Sequence, residues 1–288
     1  MSLAVVCEAS SFRGVFIHGV LTAFEEAGLA VQAYSAASSM TIPTAYAAAG
    51  KLPLLEGVEY WKYRVAGVRQ YQNDMSYCIK KGIEMALPDL IPDLFQPGAK
   101  RFFVGASEVI TEEAAQLTQT DKAARLGRKL MVDAARKDRS WAHEHLRPAL
   151  FDTAAVNEMQ RISAENLADV LYASTRLLNG WKEPASVSGR PFLDGVYSCG
   201  IPVMETAGAG FQTIVAVSAS PPPLFTDMFQ TTLVPSRVGM TQVFCVHPER
   251  PGSHFEVSLF DATETGLEAF FAHGVEQGRV FLQHWQAS

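Results

Sequence analysis

The first fifty residues alternate between two hydrophobic periods, and this constrains the fold more than any other feature. "LAVVCEA" at 3–9 is a short, β-branched apolar run of the kind that forms a fully buried strand. After "SSFRG" comes "VFIHGVLTAFEEAGL", with apolar residues at Val15, Val20, Leu21, Phe24 and Ala27. That spacing predicts a helix packed against a sheet, stopped by Gly28. "LAVQAYS" at 29–35 reads as a second strand, and the alanine-rich segment after Ser38 as a second helix. Pro43 is tolerable there only near the helix start, and Gly50 closes it. Strand, helix, strand, helix within so short a span implies parallel strands joined by crossover helices.

The rest of the chain is read more coarsely. Residues 55–86 look helical and aromatic, and "ALPDLIPDLFQPG" at 86–98 reads as a greasy loop because it holds three prolines. "RFFVGASEVI" at 101–110 suits a strand, 111–148 a long helical stretch, and 163–178 a further helix. "FLDGVYSCGIPV" turns at Asp194-Gly195, and "FQTIVAVSAS" at 211–220 is β-branched enough for a central strand. A proline-bounded loop or lid follows from 221, then a strand candidate at 254–260 and a terminal helix at 264–285. No repeat, low-complexity tract or linker divides the chain, so a single domain over 1–288 is expected, with a helical, lid-like region over about 51–150.

Bulk properties narrow the function. A formal net charge of −6 argues against a broad nucleic-acid footprint. No apolar run reaches the roughly 18 residues that span a bilayer, and the start lacks the basic and apolar regions of a secretory signal. Cys7, Cys78, Cys199 and Cys245 are scattered without a CxxC pair, as reduced, mostly core residues of a cytoplasmic protein would be. The basic residues at 122–139 have two readings, contact with lipid phosphates or a solvated helix face. The apolar loops near 88–95 and 222–229 likewise suit an interface, an acyl tunnel or plain surface. Peripheral contact with a membrane is therefore an open expectation.

Three segments in order carry a resemblance: "EASSFRGVFIHGVLTAFEEAGL", "YSAASSMTIPTAYAAAG", and "GRPFLDGVYSCGIPV" followed by "FQTIVAVSASP". Together they resemble the patatin-like family of lipid acyl hydrolases. That family has a glycine-rich strand-to-helix loop ending in Arg-Gly, a Gly-x-Ser-x-Gly elbow, and a later Asp-Gly-Gly/Ala motif. "LADVLYASTRLLNGWKEPASVSGRPFLDG" resembles the stretch before that aspartate. The resemblance implies an α/β fold, a three-layer sandwich with a mostly parallel central sheet flanked by helices. It also implies a serine hydrolase acting on lipid or phospholipid acyl esters, with no metal or organic cofactor.

Carried over by position, Ser38 takes the place of the nucleophile and Asp194 that of its base. Ser10, Ser11, Phe12, Arg13 and Gly14 correspond to the oxyanion loop, and Met40 and Gly195 border the substrate. The chain departs from the pattern at several positions. Ala9, Ser10 and Ser11 replace loop glycines, Ala36 and Met40 replace the elbow glycines, and Val196 replaces the third small residue after Asp194. Ser39 is the weaker nucleophile candidate, since the distance to "AAAG" puts Ser38 in register.

The chemistry sets conditions on these residues. A serine hydroxyl becomes a nucleophile only when a base accepts its proton. In a dyad the Asp194 carboxylate must do so directly, its pKa raised by burial from about 3.9 toward neutrality. Backbone N–H groups before the 14–27 helix, aided by its dipole, would hold the oxyanion. They need room and often a positive φ, which costs Ala or Ser roughly 1–2 kcal/mol per residue. Met40 threatens to crowd the site, and Glu8 must turn its carboxylate elsewhere.

Other readings compete. Ser38 alone would be a helix cap, Asp194 alone a turn residue, and Arg13 a local cap or ion-pair partner. The rival class is a non-catalytic binder of fatty acids or lipids on the same fold, its hole narrowed by Ala9, Ser10, Ser11 and Met40. A dinucleotide site is a distant third, because "EASSFRG" lacks GxGxxG. His143 and His145 lie two apart, so a helix would face them apart and no shared metal is expected. His18 reads as a packed core histidine, while His247 and His254 stay open as partners of a triad. Oligomeric state is unread.

Overall fold

The opening unit forms as β1 (Leu3–Cys7), α1 (Gly14–Glu26), β2 (Ala33–Ala37) and α2 (Thr41–Ala48). In this computed structural model, which describes residues 2–71 and 74–286, there follow α3 (Val58–Gln70), α4 (Met75–Leu94) and β3 (Arg101–Val109). Next come α5 (Glu112–Thr118), α6 (Ala123–Ala135), α7 (Ser140–His145), β4 (Leu146–Asp152) and α8 (Leu167–Thr175). The last third holds β5 (Ala185–Val187), β6 (Arg190–Asp194), α9 (Val203–Ala207), β7 (Thr213–Val217), β8 (Arg237–Val238), β9 (Thr241–Val246) and α10 (Glu264–Gln286).

The strands make one mixed sheet in the order β5-β6-β3-β2-β1-β7-β9-β8, with β4 also paired to β3. Its centre, β3-β2-β1-β7-β9, is parallel, and antiparallel strands flank it. Every residue of β1, β2 and β7 is buried, which is why these strands read as continuous apolar runs. Leu3, Val5 and Cys7 point into the layer of α1, α2, α3, α4, α8 and α10, and Ala4 and Val6 into the opposite layer with α9. A further cluster packs Val109 and Leu193 against α5, α6 and α7. The fold is therefore α/β, a sheet between two helical layers.

Several sequence expectations need correction. Residues 86–94 are helix rather than loop, because Pro88 and Pro92 lie inside α4 on its exposed side. The carbonyls they leave unbonded face water, while Ala86, Leu90 and Leu94 fix the opposite side in the core. The region 51–150 is not simply a helical lid, since it supplies β3 to the sheet interior. The stretch 111–148 is three helices, and α6 ends where Lys137 adopts a left-handed φ of 56°. Residues 254–260 form no strand: a 3-10 turn, Gly252–Phe255, runs into irregular chain with a single bridge from Val257 to Ala262, seating Phe255 on Phe270 of α10 with ring centroids 4.9 Å apart. The strand β9 was not anticipated; its alternation of buried and exposed residues is broken at Phe244 and Cys245. No helix among the described residues is long and apolar enough to cross a membrane.

Candidate active site

Ser38 and Asp194 meet because two strands end head-on along the same edge of β3. β2 runs parallel to β3 and stops with Ala37 opposite Gly105. β6 runs antiparallel to β3 and stops with Asp194 opposite Ala106, the next residue along. The two chain ends therefore abut, and a Cβ on Gly195 would sit 2.7 Å from the Ala37 Cβ and 2.8 Å from the Gly105 carbonyl oxygen. Gly195 serves this close approach, and it is not among the residues lining the cavity. At the junction the Ser38 Oγ–H donates to Asp194 Oδ2 at 2.7 Å.

Ser38 is held in a left-handed conformation, φ 56°, ahead of a 3-10 turn that feeds α2. For a non-glycine residue this costs about 1–2 kcal/mol, and the surroundings offset it. The Ser38 N–H donates to Ser174 Oγ at 2.9 Å, and the Ser174 hydroxyl donates to the Gly105 carbonyl at 2.6 Å. The Thr41 hydroxyl donates to the Ser38 carbonyl at 2.8 Å. Ser174, on α8, was not anticipated; "YAST" at the end of an apolar helix gives no sign that one serine reaches a distant turn. The neighbouring Ser39 hydroxyl is buried without a hydrogen-bond partner and Ser39 does not line the cavity, whereas Ser38 does.

Asp194 is fully buried at 0 % exposure. Its Oδ1 accepts from the Val196 N–H at 2.8 Å, its own N–H donates to the Arg176 carbonyl at 2.9 Å, and its carbonyl accepts from Ser107 Oγ at 2.8 Å. Burial pushes its pKa from 3.8 up to about 7, against the lowering effect of the Ser38 and Val196 hydrogen bonds. A carboxyl poised near neutrality can take a proton and return it.

The loop after β1 shares one backbone feature with the turn at Ser38. Ser11 is also left-handed, φ 51°, and opens a 3-10 turn, Ser11–Arg13, that leads into α1. The N–H groups of Arg13 and Gly14 are used within this turn. Of the five residues expected to form the oxyanion loop, Ser11 and Arg13 border the cavity, and Ser10, Phe12 and Gly14 are buried behind it. Gly14 is needed for packing, since a Cβ there would lie 2.5 Å from Met40 Sδ and 2.6 Å from Trp61. Met40 itself is 0 % exposed and lies in the main core, apart from the residues that line the cavity. Glu8 lines the same cavity as Ser38, with its carboxylate engaged on the β7 side, Oε2 accepting from Ser218 Oγ at 2.7 Å and the Ala219 N–H at 2.8 Å. Arg13 Nη1 donates to Ser220 Oγ at 3.2 Å, joining the loops after β1 and β7.

Ser38 and Asp194 open into a cavity of about 750 Å³. It lies at the carboxyl ends of β1, β2 and β7, where open parallel sheets place their ligand crevices. Its walls are mainly apolar, with Leu177, Val196, Ile201, Leu224, Phe225 and Met228 among them. The loop from 221 is thus a cavity wall, clamped by Arg139 Nε donating to Asp227 Oδ2 at 2.7 Å.

No described histidine borders this cavity. His18 is buried, its Nδ1 accepting from Trp61 Nε1–H at 3.1 Å, and desolvation lowers its pKa to about 4. His145 bonds to Thr111 Oγ1 at 2.8 Å, and no His, Cys, Asp and Glu cluster suited to a metal occurs among the described residues.

Comparison with known proteins adds little. No family model matches the chain, and no curated protein matches it in sequence. Among solved structures, that of VipD from Legionella pneumophila aligns over 98% of this chain and 67% of its own, with a TM-score of 0.47 and 12% identity. The functional reading therefore stands on the residues themselves.

Proposed function

We propose that this chain is a serine acyl hydrolase that cleaves acyl esters of lipids through Ser38 and Asp194. The observation that carries the proposal is the 2.7 Å hydrogen bond from Ser38 Oγ to a buried carboxylate at the wall of an apolar cavity. Ser38 Oγ bonds to the ester carbonyl carbon while its proton passes to Asp194 Oδ2. The resulting oxyanion is held by N–H groups at the start of the Ser11 turn, ahead of the Arg13 and Gly14 N–H groups that the turn itself uses, next to the N-terminus of α1. Collapse breaks the bond to the alcohol, which leaves with the proton from Asp194. Water then gives a proton to Asp194 and adds to the acyl-Ser38 carbonyl, and Ser38 recovers its proton as the fatty acid departs. The apolar walls suit an acyl chain better than a charged or sugar-rich acyl group.

The rival, a lipid binder without catalysis, rests on a hole narrowed by Ala9, Ser10, Ser11 and Met40; of these Met40 is packed in the core, while Ala9 and Ser11 line the cavity. Labelling decides between them. Incubation with a fluorophosphonate is expected to add one phosphonyl mass at Ser38 and none in Ser38→Ala, with hydrolysis of a p-nitrophenyl acyl ester lost in that variant. An unlabelled wild-type protein that purifies with bound fatty acid would overturn the enzyme in favour of the binder.

A further inference from the structure

The surface beside the cavity differs in charge from the rest of the chain. Between 122 and 137 the sequence places Lys122, Arg125, Arg128, Lys129, Arg136 and Lys137 against Asp133, with Asp121 and Asp138 at either end, in a chain of formal net charge −6. All six cations are exposed. Among the described residues only Lys129 has an ion-pair partner, Asp133 at 3.7 Å. Against the solvated-face reading, these six cations outnumber the three acids in and at the ends of the stretch, Asp121, Asp133 and Asp138, by two to one.

The helical register orders these residues. Ala123, Leu126, Gly127 and Leu130 form the buried side of α6. Arg125, Arg128 and Val132 recur at steps of three and four and continue to Arg136 just past the helix, so they share one outward face. Next to that face, Met131 and Ala135 border the cavity. Apolar side chains protrude at the same place: Met131 is 41% exposed, Val132 49%, and Phe260, on the cavity rim, 61%.

The geometry points to an anionic lipid surface as the partner of this face, which rests on the acyl-ester reading above for its purpose but not for its test. A bilayer offers both halves of the match, phosphates at headgroup level for the cations and an acyl interior for Val132, Met131 and Phe260. An acidic protein or a nucleic acid would satisfy only the cations. Docked this way, the cavity opens onto the layer in which lipid esters reside.

The test uses full-length Ser38→Ala protein, which cannot consume the lipid, sedimented with vesicles of phosphatidylcholine with or without admixed phosphatidylserine. Binding is expected with the phosphatidylserine vesicles, weakened by salt. Replacing Arg125, Arg128 and Arg136 by Gln is expected to reduce partitioning about a hundredfold at low salt. The same three replacements in the Ser38 background should leave the thermal melt and hydrolysis of a short, water-soluble ester unchanged. Val132→Ser is expected to weaken binding at low and high salt alike. Equal binding to both vesicle types, no binding by the parent, or full binding by the triple variant would overturn the inference. Vesicle binding by a wild-type protein that fluorophosphonate fails to label would sustain this surface while defeating the catalytic reading.

Discussion

The junctions β1–α1 and β2–α2 are the same local device used twice. Each ends a buried strand, places a serine in the left-handed region (Ser11 at φ 51°, Ser38 at φ 56°), and enters its helix through a 3-10 turn. They differ in what the rest of the molecule sets against them. Ser38 has a carboxylate in front, Ser174 at its N–H and Thr41 at its carbonyl. Ser11 has one side-chain bond, to the Leu259 carbonyl in an exposed turn. A left-handed serine at the head of a 3-10 turn thus has a base at one junction and none at the other. The turn presents a group; the tertiary partners decide its chemistry.

The comparison breaks most severely at the base. Asp194→Asn keeps the hydrogen-bonding shape but removes the proton acceptor, so kcat for ester hydrolysis is expected to fall on the order of 10⁴-fold. The same variant should alter stability in the opposite direction. The folded pKa of Asp194, about 7, lies above its ordinary 3.8. Between those values the native state binds the proton more tightly than the unfolded chain, so this carboxyl makes stability decline as pH rises. The full loss is on the order of 4 kcal/mol above pH 7, and it is absent in Asp194→Asn. Urea unfolding at acidic and alkaline pH should show the variant gaining on wild type as pH increases, while wild-type kcat rises through an inflection near 7. A flat activity profile across that range would mean that Asp194 is not the base.

A smaller effect is expected at the buttress. Ser174→Ala removes the hydroxyl that accepts from the Ser38 N–H and donates to the Gly105 carbonyl, costing about 1–3 kcal/mol. The same loosening should reduce kcat about tenfold with little change in KM. Ser10→Ala, at the other junction, loses only a bond to the Glu8 carbonyl and should cost about 1 kcal/mol or less. Equal losses for the two alanines in chemical denaturation would erase the distinction drawn here. The smallest change should come from Ser11→Gly. Relief of left-handed strain and loss of the Leu259 contact oppose each other, so unfolding free energy is expected to move by no more than about 1 kcal/mol and esterase activity to persist. Abolished activity would show that the Ser11 side chain does more than shape the turn.

The opening strand-helix-strand-helix unit, the terminal helix and the central strand at 213–217 were determined by the sequence itself. Apolar period, Gly28 and Gly50 act within a few residues of the elements they define. Pairing Ser38 with Asp194 came from an ordered resemblance, since no local rule links residues 156 positions apart. Only the tertiary structure decided that β6 meets β2 end to end along β3, that Met40 packs beneath Gly14, and that Ser174 clamps the elbow. It also decided that α4 continues through two prolines, because core burial on one side outweighed lost bonds on the other. Local chemistry reaches about one turn of chain, and strand register, layer packing and the field at a buried carboxyl are sums over segments far apart in sequence.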